Sequence, residues 1–203
     1  MSGQVTVNSD KATTVLLVGV GGQGTILAAD VLAKTAIANG LQVKLSEIHG
    51  MAQRGGSVST IVRLGAQVNS MVCDLGCADY LLAFETTEAL RNISYLRTGG
   101  MLLVNDEAIK SQPVLTGRAH MPARARERLT SMGAHLVPAS QLAEQAGSLK
   151  CANVVLLGAL AAGMDFPLES WEEQIRLKVP PKTIDMNIAA FRSGVASVPH
   201  GQR

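Results

Sequence analysis

Apolar and polar positions along this chain alternate between a period of two and a period near 3.6, and each change of period marks a strand giving way to a helix. Thr14–Val18 is an unbroken apolar strand. From about Gln23 to Asn39, Leu27, Val31 and Leu32 recur at helical spacing among Ala28, Ala29, Ala33, Ala36 and Ala38, and Asn39-Gly40 stops the helix. Leu41–Ser46 then reads as the second parallel strand of a βαβ unit. Ser57–Leu64 alternates as a strand, a turn at Gly65, Ala66 and Asn69 leads into Ser70–Cys73, and Tyr80–Phe84 is a further buried strand. Glu85–Leu96 reads as a helix ended by Gly99-Gly100, followed by a strand at Met101–Val104. Ala123–Met132 forms an amphipathic basic helix and His135–Val137 a short strand. Gln141–Ala146, Asn153–Ala162, Leu168–Leu177 and Asp185–Phe191 are helical, the last two separated by Val179-Pro180-Pro181. Strands alternating with helices predict one Rossmann-like, doubly wound, mostly parallel α/β sheet with helices on both faces. The expected boundaries are a tail over 1–12, a single domain over 13–195 and a second tail over 196–203.

Composition narrows the function. The chain of 203 residues is 47% hydrophobic and 17% charged, as expected of a compact domain with a sizeable core. A net charge of +2, with one Trp, two Tyr and three Phe, offers neither a phosphate-binding surface nor stacking platforms, which argues against nucleic acid. No apolar run is long enough for a membrane span, and Met1–Lys11 carries no apolar signal core, so a cytoplasmic location is expected. Cys73, Cys77 and Cys151 lack a C-x-x-C pair, so reduced thiols are expected and no metal is assigned. The four-residue spacing of Cys73 and Cys77 would suit one helix face.

Two glycine-rich segments carry the candidate chemistry. Gly19-Val20-Gly21-Gly22-Gln23-Gly24 fits G-x-G-x-x-G directly after a strand, the turn that cradles a pyrophosphate at a helix N-terminus. Glu47, just past the second strand, stands near the place of the acid that holds a nucleotide ribose, so a stand-alone NAD- or FAD-binding oxidoreductase is the rival reading. His49-Gly50-Met51-Ala52-Gln53-Arg54-Gly55-Gly56 is nothing that a dinucleotide fold requires. An arginine among small residues suits a loop that closes over an anion, or an ion pair at a subunit interface. His49 is either a general base or a loop histidine bonded to backbone or partner, and Glu47 could orient His49 or Arg54. Ser57 and Ser59 could reach a ligand, although strand alternation also explains them. Asn153 suits a helix N-cap, and the mid-helix Asn187 suits an interface hydrogen bond. Arg118, Arg124, Arg126 and Arg128 read as a solvated helix face, with docking of an acidic ferredoxin as the alternative.

Taken together, Gly19–Gly24 and the Met-Ala-Gln-Arg-Gly-Gly segment resemble the gamma subunit or domain of the 2-oxoacid:ferredoxin oxidoreductases. The lead-in His49-Gly50 is most like the beta subunits of the family's indolepyruvate branch. The similarity continues through Asn153–Leu160 and Asp185–Gly194, and so spans about residues 14–194. The resemblance implies a subunit of an enzyme that decarboxylates an aryl 2-oxo acid oxidatively, transfers the acyl group to coenzyme A and reduces ferredoxin. It implies that thiamine diphosphate, Mg2+ and [4Fe-4S] clusters sit on a larger alpha subunit, in a hetero-oligomer of alpha and beta chains, and that this chain is inactive alone. In keeping with this, the sequence has no G-D-G segment and no cysteine knuckles. No catalytic residue is then expected here. Gly19, Gly21, Gly22, Gln23, Gly24, Glu47, His49, Met51, Gln53, Arg54, Gly55 and Gly56 would face coenzyme A or the active site, and Asn153 and Asn187 an interface.

Overall fold

The computed structural model describes residues 12–49, 56–110, 112–118 and 120–198. Strand β1 (Thr13–Val20) is buried at every position, which its apolar run dictates because both of its faces are covered. Val15 and Leu17 face one core, Leu16 and Val18 the other. Helix α1 (Thr25–Ala38) lays Ala28, Ala29, Leu32 and Ala36 on the first core. It ends in a Schellman turn, where Gly40, at φ +81°, donates to Ile37 O and Leu41 N donates to Ala36 O. Then come β2 (Gln42–His49), β3 (Ser57–Gly65), β4 (Ala78–Ala83), α2 (Thr86–Asn92) and β5 (Leu96–Asn105). The remainder is α3 (Gln112–Leu115), α4 (Ala125–Ser131), β6 (His135–Val137), α5 (Ala139–Gln145), α6 (Ala152–Ala161), α7 (Leu168–Lys178) and α8 (Ile184–Ser197).

The six strands lie in the order β2-β3-β1-β4-β5-β6. Only β3 runs against the rest, so the mostly parallel, doubly wound α/β sheet expected from the sequence is what forms. One detail differs. β2 does run in the direction of β1, but its hydrogen-bonded neighbour is the antiparallel β3, inserted between the two. The short connection after His49 returns the chain beside β2, and a short return can only pair antiparallel.

Helices α1, α5, α6, α7 and α8 cover one face, while α2 and α4 cover the other around Ala89 and Leu129. Within this layer α6 and α8 pack directly on each other. A Cβ on Gly158 would strike Phe191 O, and one on Gly194 would strike Val155 O, so these helices touch backbone to backbone.

Three local expectations are corrected. The helix beginning at Glu85 stops at Asn92 and passes through a 3-10 turn at Ile93–Tyr95. β5 then runs straight through Gly99-Gly100, which mark a register shift against Ala78 and Tyr80 rather than a helix stop. Ser70–Cys73 is not a strand: Arg63 donates to Ser70 O and Val72 O and holds it as a loop. α8 extends to Ser197, past the end expected for the helical run Asp185–Phe191.

Candidate functional site

β1 and β4 are adjacent and parallel, yet the helices that follow them, α1 and α2, pack on opposite faces. That reversal makes the carboxyl ends of β1 and β4 the topological switch point of the sheet, where an open α/β fold has its crevice. The glycine turn stands on one side of it and Phe84–Thr86 on the other.

Gln23 ties the two sides together. Its Oε1 accepts from Val20 N at 2.6 Å, and its Nε2 donates to Phe84 O at 3.0 Å. Gly19 leaves room for this: a Cβ there would lie 2.7 Å from Gln23 Oε1 and 2.9 Å from Phe84 Cβ. Asn105 Nδ2 also donates to Phe84 O, at 3.2 Å, while Asn105 Oδ1 accepts from Ala139 N. Glu85, 1% exposed, caps α2 by accepting from Thr87 N and Glu88 N and reaches Ile109 N as well. Ser57 donates to Glu88 Oε2 at 2.6 Å, and Arg91 pairs with the other oxygen at 3.3 Å. Hydrogen bonds thus hold the carboxylates on the β4 side in place.

The β1 side is different. Gly22 has φ +104°, and a Cβ built there meets no described residue within 4 Å. Gly24, at φ +80°, is the N-cap of α1, which has no side-chain cap and no acid in its first turn. Among the described residues, no anion complements the positive end of this 14-residue helix beside Gly22, a geometry that suits a phosphate. Asn153 closes the far wall. It is not the N-cap of α6, which is Cys151; its side chain crosses to α1, where Nδ2 donates to Gly24 O at 3.4 Å. Its Oδ1 is buried and has no hydrogen-bond partner among the described residues.

The two glycine segments meet here. Gly21 N donates to Gly56 O at 2.9 Å, and Ser57 pairs with Val20 in the β1–β3 ladder. The connection from His49 to Gly56 therefore springs from strand ends at the rim of the glycine turn. Met51, Gln53, Arg54 and Gly55 lie outside the described residues, as does the side chain of His49, whose backbone pairs with Val58. Glu47 pairs with Thr60. With β3 between β2 and β1, Glu47 stands two strand spacings, about 10 Å, from β1. A ribose-binding acid belongs on the strand next to β1, so the glycine fingerprint is present without the dinucleotide frame around it. Asn187 is 7% exposed, and its amide donates to Thr183 O within α8. That bond ties the start of α8 together within the chain. Glu88 and Asn105 escaped the sequence reading because Ser57, Phe84 and Ala139 are distant from them in sequence. Glu85, three residues before Glu88 at the start of a helical run, was the one local signal. Among the described residues, no group of three His, Cys, Asp or Glu side chains could hold a metal ion, and no helix is long and apolar enough to cross a membrane.

The architecture is that of a doubly wound α/β domain with a glycine turn at its switch point. The sequence matches the pyruvate ferredoxin/flavodoxin oxidoreductase family over residues 14–197, and the chain belongs to that family. It is 41% identical over 192 residues to indolepyruvate oxidoreductase subunit IorB of Thermococcus kodakarensis, covering 91% of this chain and 95% of that one. Among solved structures it is similar to pyruvate oxidoreductase subunit PORC of Thermotoga maritima, with a TM-score of 0.68, 25% identity and coverage of 92% of this chain and 96% of that one. A keto/oxoacid ferredoxin oxidoreductase gamma subunit from Geobacter sulfurreducens gives a TM-score of 0.67 at 25% identity, covering 91% and 97%.

Proposed function

We propose that this chain is the small, cluster-free subunit of an indolepyruvate-type 2-oxoacid:ferredoxin oxidoreductase, and that its glycine turn faces coenzyme A. The overall reaction converts an aryl 2-oxo acid, coenzyme A and oxidised ferredoxin to the aryl-acetyl-CoA, CO2 and reduced ferredoxin. The carbanion and electron-transfer chemistry is supplied by thiamine diphosphate, Mg2+ and [4Fe-4S] clusters on a larger alpha subunit, so this chain is inactive alone. Ferredoxin meets the complex rather than this subunit, and the complex works in the cytoplasm.

What this chain contributes is binding and shape. Coenzyme A carries a pyrophosphate and a 3′-phosphate, and the uncapped N-terminus of α1 beside Gly22 is complementary to such an anion. Gln23 holds the turn against Phe84 so that the backbone donors keep their direction. Arg54, which lies in sequence between His49 and Gly56, supplies the cation. The observation that carries this reading is the hydrogen bond from Gly21 N to Gly56 O, which joins the two glycine segments at one rim. The position of Glu47, beyond β3, weighs against a free-standing NAD or FAD enzyme.

The test is anaerobic. The tagged chain, recovered from its host with whatever it binds, should bring down a larger brown partner and reduce viologen with indolepyruvate only when coenzyme A is present. A colourless single chain that binds NADH would refute the proposal.

A further inference from the structure

The loop from Ala66 to Cys77 joins β3 to β4 at the end of the sheet opposite the glycine turn. It is tied down along its length. Val68 N donates to Gln42 Oε1, Lys44 Nζ to Asn69 O, Arg63 Nη1 to Ser70 O and Val72 O, and Gly76 N to Ser94 O. The last turn closes with Cys77 N donating to Asp74 O at 3.2 Å, and Gly76 supplies φ +71° at its third position. The turn folds the chain back on itself, so Cys73 and Cys77 are neighbours across a turn rather than along a helix. Their Sγ atoms are 2.7 Å apart, and both residues are partly exposed, whereas Cys151 is buried on the other face of the sheet.

We propose that Cys73 and Cys77 form a reversible dithiol–disulfide couple that exchanges with small disulfides such as oxidised glutathione. A disulfide needs its sulfurs about 2.05 Å apart, so closing the pair from 2.7 Å asks for about 0.7 Å of movement in a turn already folded around it. The exchange runs in two steps. The Cys77 thiolate attacks the small disulfide, one S–S bond breaks, a mixed disulfide forms and one small thiolate leaves. Cys73 then gives up its proton and attacks the Cys77 sulfur, releasing the second small thiol. The protein loses two hydrogens and two electrons, and the small disulfide becomes two thiols. The order follows from the environment. Burial first, and the neighbouring Cys77 sulfur second, push the Cys73 thiol up to about 12, so it waits protonated as the resolving partner. The oxidised bond clamps the loop that presents Met71, Val72 and Leu75 to solvent.

The reduced full chain, alone and with its co-purified partner, is exposed to oxidised glutathione, alkylated and mapped by mass spectrometry. The expected product has Cys73 linked to Cys77, two hydrogens lighter, with Cys151 alkylated only after unfolding. In Cys73→Ser, a glutathione adduct on Cys77 should persist at least about tenfold longer than in the unsubstituted chain. Full alkylation of both cysteines after oxidation, or a lasting glutathione adduct in the unsubstituted chain, would overturn the proposal. The map of the unsubstituted chain decides by itself should the serine variant fail to fold.

Discussion

The glycine turn after β1 and the crossing of α6 with α8 both depend on glycine, for opposite reasons. At the crossing, Gly158 and Gly194 leave no space: an added Cβ on either would run into the backbone of the other helix. At the turn, no described residue lies within 4 Å of where a Cβ on Gly22 would be. One region is closed by the chain itself, and its glycines serve stability. The other, among the described residues, leaves an uncapped helix end uncovered, and its glycines set the course of the turn. Glycine content alone does not separate these uses; what surrounds the missing Cβ does.

The largest expected effect breaks the closed region. Alanine in a helix is favoured over glycine by about 1 kcal/mol, yet overpacking against immovable backbone costs about 3 kcal/mol. Gly158→Ala or Gly194→Ala should therefore lose about 2 kcal/mol net, lowering Tm by roughly 4–8 °C in a chain of this size. An unchanged Tm would mean that the helices part without cost. Next comes the frame of the open region. Gln23→Ala strips the acceptor from Val20 N and the donor from Phe84 O, and should cost about 1.5 kcal/mol by denaturant titration. Gly22→Ala should cost only about 1 kcal/mol, from strain at positive φ without collision with any described residue. Its stability loss below that of Gly158→Ala is what the comparison requires. The smallest effect lies outside both regions. Burial lowers the pKa of His135 on the edge strand β6 below 6.5, so near that pH the unfolded chain binds more protons than the folded one. Stability should therefore fall slightly as pH drops through 6.5, and His135→Gln should remove that slope while leaving the differences among the glycine variants intact.

Much of this was readable in the sequence. β1 and the turn after it were plain because an apolar run and its glycines are contiguous, and α1 ended at Asn39-Gly40 as the capping rules require. The family resemblance rested on two segments that the fold then joined at Gly21 and Gly56. What escaped was information held in pairing. The antiparallel insertion of β3 is decided by which strand it meets, not by its own alternation. Gly99-Gly100 carries the same local signal whether it stops a helix or bends a strand, and only the register against β4 distinguishes them. Asn153 has the chemistry of a cap, but α1 stands close enough for its amide to cross to Gly24 instead. The chemistry of Met51, Gln53 and Arg54 rests on sequence and on the placement of the ends between which they run.

The central claim, that the open turn faces coenzyme A, is tested most directly by steady-state kinetics of the purified complex carrying Gly22→Ala or Arg54→Ala. The account predicts intact assembly, an unchanged KM for the 2-oxo acid and an apparent KM for coenzyme A raised about tenfold, equivalent to losing roughly 1.4 kcal/mol of binding. Normal assembly with an unaltered KM for coenzyme A in both variants would contradict it, and loss of assembly with Arg54→Ala would move that arginine to the subunit interface.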